Sequence, residues 1–129
     1  MKSLIALALC SASLLAASPE VDAYLQQLQA EASKPFDAGR GETVFTSEQI
    51  GKQGKKIACT TCHSTDLSAD GKNVNTGKII APLSPKTNPD RLTSLKEVQK
   101  WLRRNFKDVY NREGTAQEKG DVLTYIMQH

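Results

Sequence analysis

The sequence predicts an all-α chain, and three observations predict it. Apolar residues recur at helical spacing in several separate stretches. Two of those stretches open on a Ser/Thr-x-x-Glu signature, Ser94 to Glu97 and Thr115 to Glu118. No alternating apolar–polar run competes as a strand. At 129 residues there is room for one domain. Aromatic residues make up 5% of the chain and apolar residues 39%, a modest core that a bound apolar group would complete. The two signs of charge are mixed and the formal net charge is +3, too little for strong phosphate binding, so no nucleic-acid partner is expected.

Residues 1–17 read as a removable leader. Lys2 gives a positive start, and the run from Leu4 to Ala17 is apolar and small. Ala12, Ala16 and Ala17 then lead into Ser18-Pro19. Such a run is too short to cross a bilayer, so it reads as a secretory signal cut after Ala17. Lipidation would need Cys10 as the modified residue, and Leu9 before it is bulkier than that processing prefers. The expected mature chain, 18–129, is exported to the periplasm without membrane insertion, and its cysteines are Cys59 and Cys62.

The pattern places a first helix over Pro19 to Lys34, with Val21, Tyr24, Leu25 and Leu28 as its stripe and Pro35 as its stop. A second helix is expected from Asp37 to about Gln49, carrying Val44 and Phe45. Gly39 and Gly41 are costly inside it unless another backbone comes close. Residues 51–54 are rich in breakers, and Ser64 to Pro89 reads as loop, punctuated by Gly71, Gly77, Pro82, Pro85 and Pro89. The Ser94–Glu97 box then opens a helix with Leu95, Val98, Trp101, Leu102 and Phe106, where Trp101 is expected in the core. The Thr115–Glu118 box opens the last helix, with Val122, Leu123, Tyr125 and Ile126 on its apolar side.

Between the second helix and the loop stands Cys59-Thr60-Thr61-Cys62-His63, the C-x-x-C-H pattern of covalent c-type haem attachment. Two thiols three positions apart reach the two vinyl groups of a haem, and the adjacent imidazole turns to the iron. A structural zinc site would need a second cysteine pair, which residues 18–129 do not contain. A thioredoxin-like dithiol would need a βαβ context, and a Cys59–Cys62 disulfide would leave His63 without a purpose.

On these residues the chain resembles a class I cytochrome c from about Phe36 to His129, with 18–35 as an added N-terminal helix. The resemblance implies one covalent haem c and a crossing of the first and last helices of that fold. Gly41 or Val44-Phe45 against Tyr125 is the matching contact. His63 supplies one axial ligand, and the other is open on residues alone. A methionine is usual, but Met127 lies on the final helix, where packing is expected; His129 is terminal; a lysine would first have to lose its proton. Asn88 precedes Pro89, which favours an extended backbone from which a side chain can project. Asn-Pro pairs also simply start turns, and Asn73, Asn75, Asn105 and Asn111 are present too.

The stretches Leu83 to Thr93, Lys100 to Asn105 and Thr115 to Thr124 are similar to the SHP family (sphaeroides haem protein). That resemblance implies a high-spin cytochrome c with Asn88 as the distal iron ligand in the oxidised state, released on reduction to admit O2, NO or CO. It also implies a dihaem cytochrome c as electron donor. Related sequences carry a cysteine pair near the positions of Phe106 and Gly114, and this chain does not. Lys52, Lys55 and Lys56, or Arg103, Arg104 and Lys107, are candidate steering charges for an acidic partner. Trp101, Tyr110 and Arg112 are candidate partners of the haem propionates. No acid–base pair or nucleophilic triad is legible, so any turnover, as an oxygen or nitrogen-oxide reductase, would rest on haem chemistry.

Overall fold

The computed structural model describes residues 17–129, so the leader reading lies, apart from Ala17, outside the described residues. Five helices carry the fold: α1 (Pro19–Glu31), α2 (Ala38–Thr46), α3 (Cys59–His63), α4 (Leu95–Tyr110) and α5 (Ala116–Met127). Four two-residue strands join them. β1 (Gln49–Ile50) pairs antiparallel with β2 (Lys56–Ile57), and β3 (Gly71–Lys72) with β4 (Ile79–Ile80).

The helix limits follow from their caps. α1 begins with Pro19 just inside the Ser18 cap, whose hydroxyl accepts from Val21 N–H, and it ends at Glu31, three residues short of Lys34. α2 is capped by Asp37 and stops at Thr46, not near Gln49. Gln49 and Ile50 are instead drawn into the β1–β2 ribbon that turns at Gly51–Gly54. The Thr115–Glu118 box is complete in both directions. The expected box at Ser94 is only half made: Ser94 accepts from Glu97 N–H. The Glu97 carboxylate turns away to Lys100 Nζ and Trp101 Nε1, at 3.2 and 3.0 Å.

α2 and α5 cross at a point where a side chain has no space. A Cβ on Gly41 would overlap the Asp121 carbonyl and stand 2.8 Å from Tyr125 Cβ. The expected small-against-aromatic contact is therefore made by Gly41. Beside it the Asp121 carboxylate, 2% exposed, accepts from Asp37 N–H, Arg40 Nε and Gln117 Nε2 at 2.9, 3.0 and 3.1 Å. Those three donors satisfy a charge that would otherwise be expensive to bury. α1 lies across the outer side, with Val21 and Leu28 buried against Leu123 and Val98. No helix among the described residues is long and apolar enough to cross a membrane.

Replacing Gly41 with alanine is expected to destabilise the protein by about 2 kcal/mol or more, read from denaturant unfolding of the holoprotein. An unchanged midpoint would contradict the close crossing. Glu118 accepts from Arg112 Nη1 and Nη2 at 2.7 and 2.9 Å and from Thr115 N–H at 2.9 Å. The Arg112 bonds hold its carboxyl below the ordinary 4.5, against the opposing effect of burial. The stabilisation is therefore complete above pH 4.5 and is lost as pH falls through the lowered native value. Glu118→Gln should accordingly lower Tm at neutral pH and converge on the parent at the acid end of a pH series.

Candidate functional site

α3 is one short helical turn. Its start is closed by Thr61, whose hydroxyl accepts from Ala58 N–H at 3.0 Å. Its end turns at Ser64, which has φ 68°. The β3–β4 ribbon passes directly against it, because a Cβ on Gly71 would overlap the Cys62 carbonyl and lie 3.0 Å from His63 Cα. From the other side Phe45 of α2 packs on the His63 ring with centroids 6.1 Å apart, and Phe45 rests on Tyr125 of α5 at 5.7 Å. The helix crossing thus sets the imidazole.

His63 and Cys59 open on a cavity of about 430 Å³, a size suited to a small-molecule or cofactor site. Phe45, Leu83, Leu102, Phe106, Val122 and Ile126 give it a predominantly apolar wall. Asn88, Asp90 and Arg91 of the loop before α4 also line it, as does Trp101. Burial pushes the His63 pKa down to about 4, with the Arg91 charge adding to the effect, so the ring is neutral at pH 7 and able to ligate iron. Burial pushes the Cys59 thiol up to about 11, which is unlike the lowered thiol of a dithiol redox pair. Cys59 and Cys62 are not bridged. Among the described residues no group of three or more His, Cys, Asp or Glu side chains could hold a metal ion. An apolar slot with one neutral imidazole and two adjacent thiols fits a covalent haem: Cys59 and Cys62 would hold the macrocycle and His63 its iron.

The loop with Asn88 is pinned by Ser84, which is fully buried. Its N–H donates to Leu67 O at 2.9 Å, its hydroxyl donates to a carbonyl oxygen of His129, and its own carbonyl accepts from Asn88 N–H at 2.8 Å. Asn88 Nδ2 donates to Pro82 O at 3.2 Å, and its Oδ1 accepts only a long bond, 3.3 Å, from Asp90 N–H. Of the other asparagines Asn105, on α4, also lines the cavity, whereas the methionine, histidine and lysine candidates lie elsewhere. Met127 packs with the Val21–Leu123 cluster, and His129 stacks edge-on against Tyr125 at 4.7 Å. No lysine lines the cavity.

Of the candidate propionate partners, Tyr110 donates its hydroxyl to Val44 O at 2.7 Å, and Arg112 is held by Glu118. Trp101 is not a core residue. It is 43% exposed at the cavity mouth, with Lys100 and Arg104 lying 5.0 and 5.4 Å from its ring centre. Those cations, and the Glu97 acceptor for its indole N–H, let it remain at the surface.

A Cys-x-x-Cys-His turn seated between crossed helices and opening on an apolar cavity defines a class I-like c-type cytochrome. Residues 31–126 match the family described as Domain of unknown function (DUF1924). The chain is 44% identical over 98 residues to cytochrome c-type protein SHP of Cereibacter sphaeroides, covering 76% of this chain and 75% of that protein. It belongs to the SHP family and carries one covalently bound haem c. The structure of oxidised SHP, described as an oxygen-binding cytochrome c, superposes with a TM-score of 0.77 at 40% identity, over 84% of this chain and 96% of that one. Cytochrome c'' of Methylophilus methylotrophus is 30% identical over 87 residues, 67% of this chain and 60% of that protein. Its oxidised crystal structure superposes with a TM-score of 0.70 at 25% identity, over 82% and 91% of the two chains.

Proposed function

We propose that this chain is a periplasmic high-spin cytochrome c that admits small diatomic ligands to a face guarded by Asn88. In this reading Cys59 and Cys62 form the thioethers, His63 is the proximal ligand and Asn88 the distal ligand of the oxidised protein. The carrying observation is positional: Asn88 lines the cavity with His63, while Met127, His129 and every lysine do not. The haem, when bound, would supply one-electron redox chemistry and a coordination position for a small ligand.

The protein decides who occupies that position. The amide Oδ1 of Asn88 is a hard, neutral and weak donor, suited to ferric iron more than ferrous. With a haem in place, Asn88 would hold the ferric iron and would yield on reduction, so that O2, NO or CO could take its place. Its Nδ2 hydrogens, one now given to Pro82 O, are the donors that would favour dioxygen there. That the relative SHP is described as oxygen binding supports this reading.

Electrons come, in the same reading, from a dihaem cytochrome c. Lys52 is already paired with Asp108 at 2.8 Å. Like Lys55 and Lys56, the α4 residues Arg103, Arg104 and Lys107 are exposed and lack a carboxylate partner among the described residues. They share a helix with Trp101 at the cavity mouth, which favours α4 as the face that steers an acidic donor.

Asn88→Ala is expected to raise the rate of cyanide association with the oxidised protein at least about tenfold, the equivalent of losing a bond of about 1.4 kcal/mol. An unchanged ferric spectrum in that variant would reassign the ligand to Met127, His129 or a lysine. Reduced parent protein that is six-coordinate and low-spin without added ligand would equally sink the reading. Reversing Arg103 and Arg104 to glutamate should slow reduction by a dihaem cytochrome c about tenfold at low salt. The difference should close near 1 M salt, where screening acts within about 3 Å, and reduction by dithionite should stay as in the parent.

A further inference from the structure

Arg91 stands out among the cavity residues because it is the one lysine or arginine there, and its charge is unanswered. Its Nε donates to Pro82 O at 2.9 Å and its Nη2 to Ala81 O at 2.6 Å. No carboxylate among the described residues lies within ion-pair distance of it. Two neutral carbonyls satisfy two N–H groups of this half-buried guanidinium but do not neutralise its charge, so it is left able to pair with an anion. Nη1 has no protein acceptor, and it is not among buried atoms lacking partners, so it is open to a ligand.

The chemistry of the haem names that ligand. Apart from two carboxylates its surface is apolar, as is most of the cavity wall. The guanidinium fork suits a carboxylate better than any other side chain does. The propionate partners the sequence suggests all have acceptors within the protein: Trp101 on Glu97, Tyr110 on Val44 and Arg112 on Glu118. We propose that Arg91 binds a propionate carboxylate of the haem and thereby ties the Asn88 loop to the cofactor edge. Arg91 N–H also donates to Asn88 O at 3.0 Å, so the same residue holds the loop backbone and the carboxylate.

The test uses holoprotein whose haem carboxylates carry ¹³C, compared by infrared spectroscopy and redox titration for the parent, Arg91→Gln, Arg91→Lys and an Arg103→Gln control. The labelled carboxylate stretch should move in Arg91→Gln and stay in place in Arg103→Gln. The midpoint potential should fall in Arg91→Gln, because a positive charge that disfavours ferric haem is gone, and be mostly retained in Arg91→Lys. Labelled bands identical in the parent and Arg91→Gln would overturn the proposal. If Arg91→Gln yields no holoprotein, Arg91→Lys carries the test: replacing a fork by a point charge must still move the band, and an unmoved band overturns the proposal. The outcome is separable from the Asn88 reading, since Asn88→Ala changes the ferric spectrum while leaving the labelled band where it is.

Discussion

The approach of α2 to α5 at Gly41 sets the position of everything at the cavity, because the contacts run outward from it in series. Backbone meets backbone at Gly41 and Asp121, which brings Phe45 onto Tyr125 and then onto the His63 ring. Interiors pack densely enough that a shift at the first contact is passed to the last. The buried Asp121 carboxylate strengthens the same junction with three donors drawn from α2, the residue before it and α5. The electrostatics of the crossing thus depend on the geometry that the missing side chain permits.

The opposite wall is built differently. From Ala81 to Leu92 the chain has no regular structure, so its polar backbone must be satisfied piecemeal. Ser84 anchors one end, and Arg91 gathers two carbonyls at the other. Leu92 follows at φ 60°, an unfavourable conformation for a leucine, and its carbonyl accepts from Ser18 N–H at the start of α1. The added N-terminal helix therefore braces the loop that carries Asn88. Pro82 O is shared by Arg91 and Asn88, so moving the amide away leaves that carbonyl satisfied.

Local signals were legible in the chain where the physics is local. The haem motif, the Thr115 box and the apolar stripes of α1, α4 and α5 all follow from spacing within one or two turns, whereas α1 ends at Glu31, before the expected stop at Pro35. Gly41 was readable as a residue in need of a close neighbour, though not which atoms would supply it. What escaped depends on distant partners. Asp121 is an ordinary acidic residue until Asp37 and Arg40, more than eighty positions away, arrive as donors. Arg91 gives no spacing signal of its own, and only the fold shows that no carboxylate among the described residues lies within ion-pair distance of it. Trp101 follows the core stripe by spacing, yet the neighbouring Glu97, Lys100 and Arg104 hold it at the surface. The same Glu97 leaves the Ser94 box half formed, since one carboxylate cannot serve both ends. The ends of α2 and the small ribbons were lost because two-residue strands have no periodicity to read.

Trp101 has an optical consequence. It is the chain's single tryptophan, so all indole fluorescence originates at the rim of the cavity. A porphyrin at that range drains the excited state by energy transfer, and a fully matured population is nearly dark. Polypeptide that has not been loaded glows instead, which makes emission a label-free gauge of how completely haem attachment has gone.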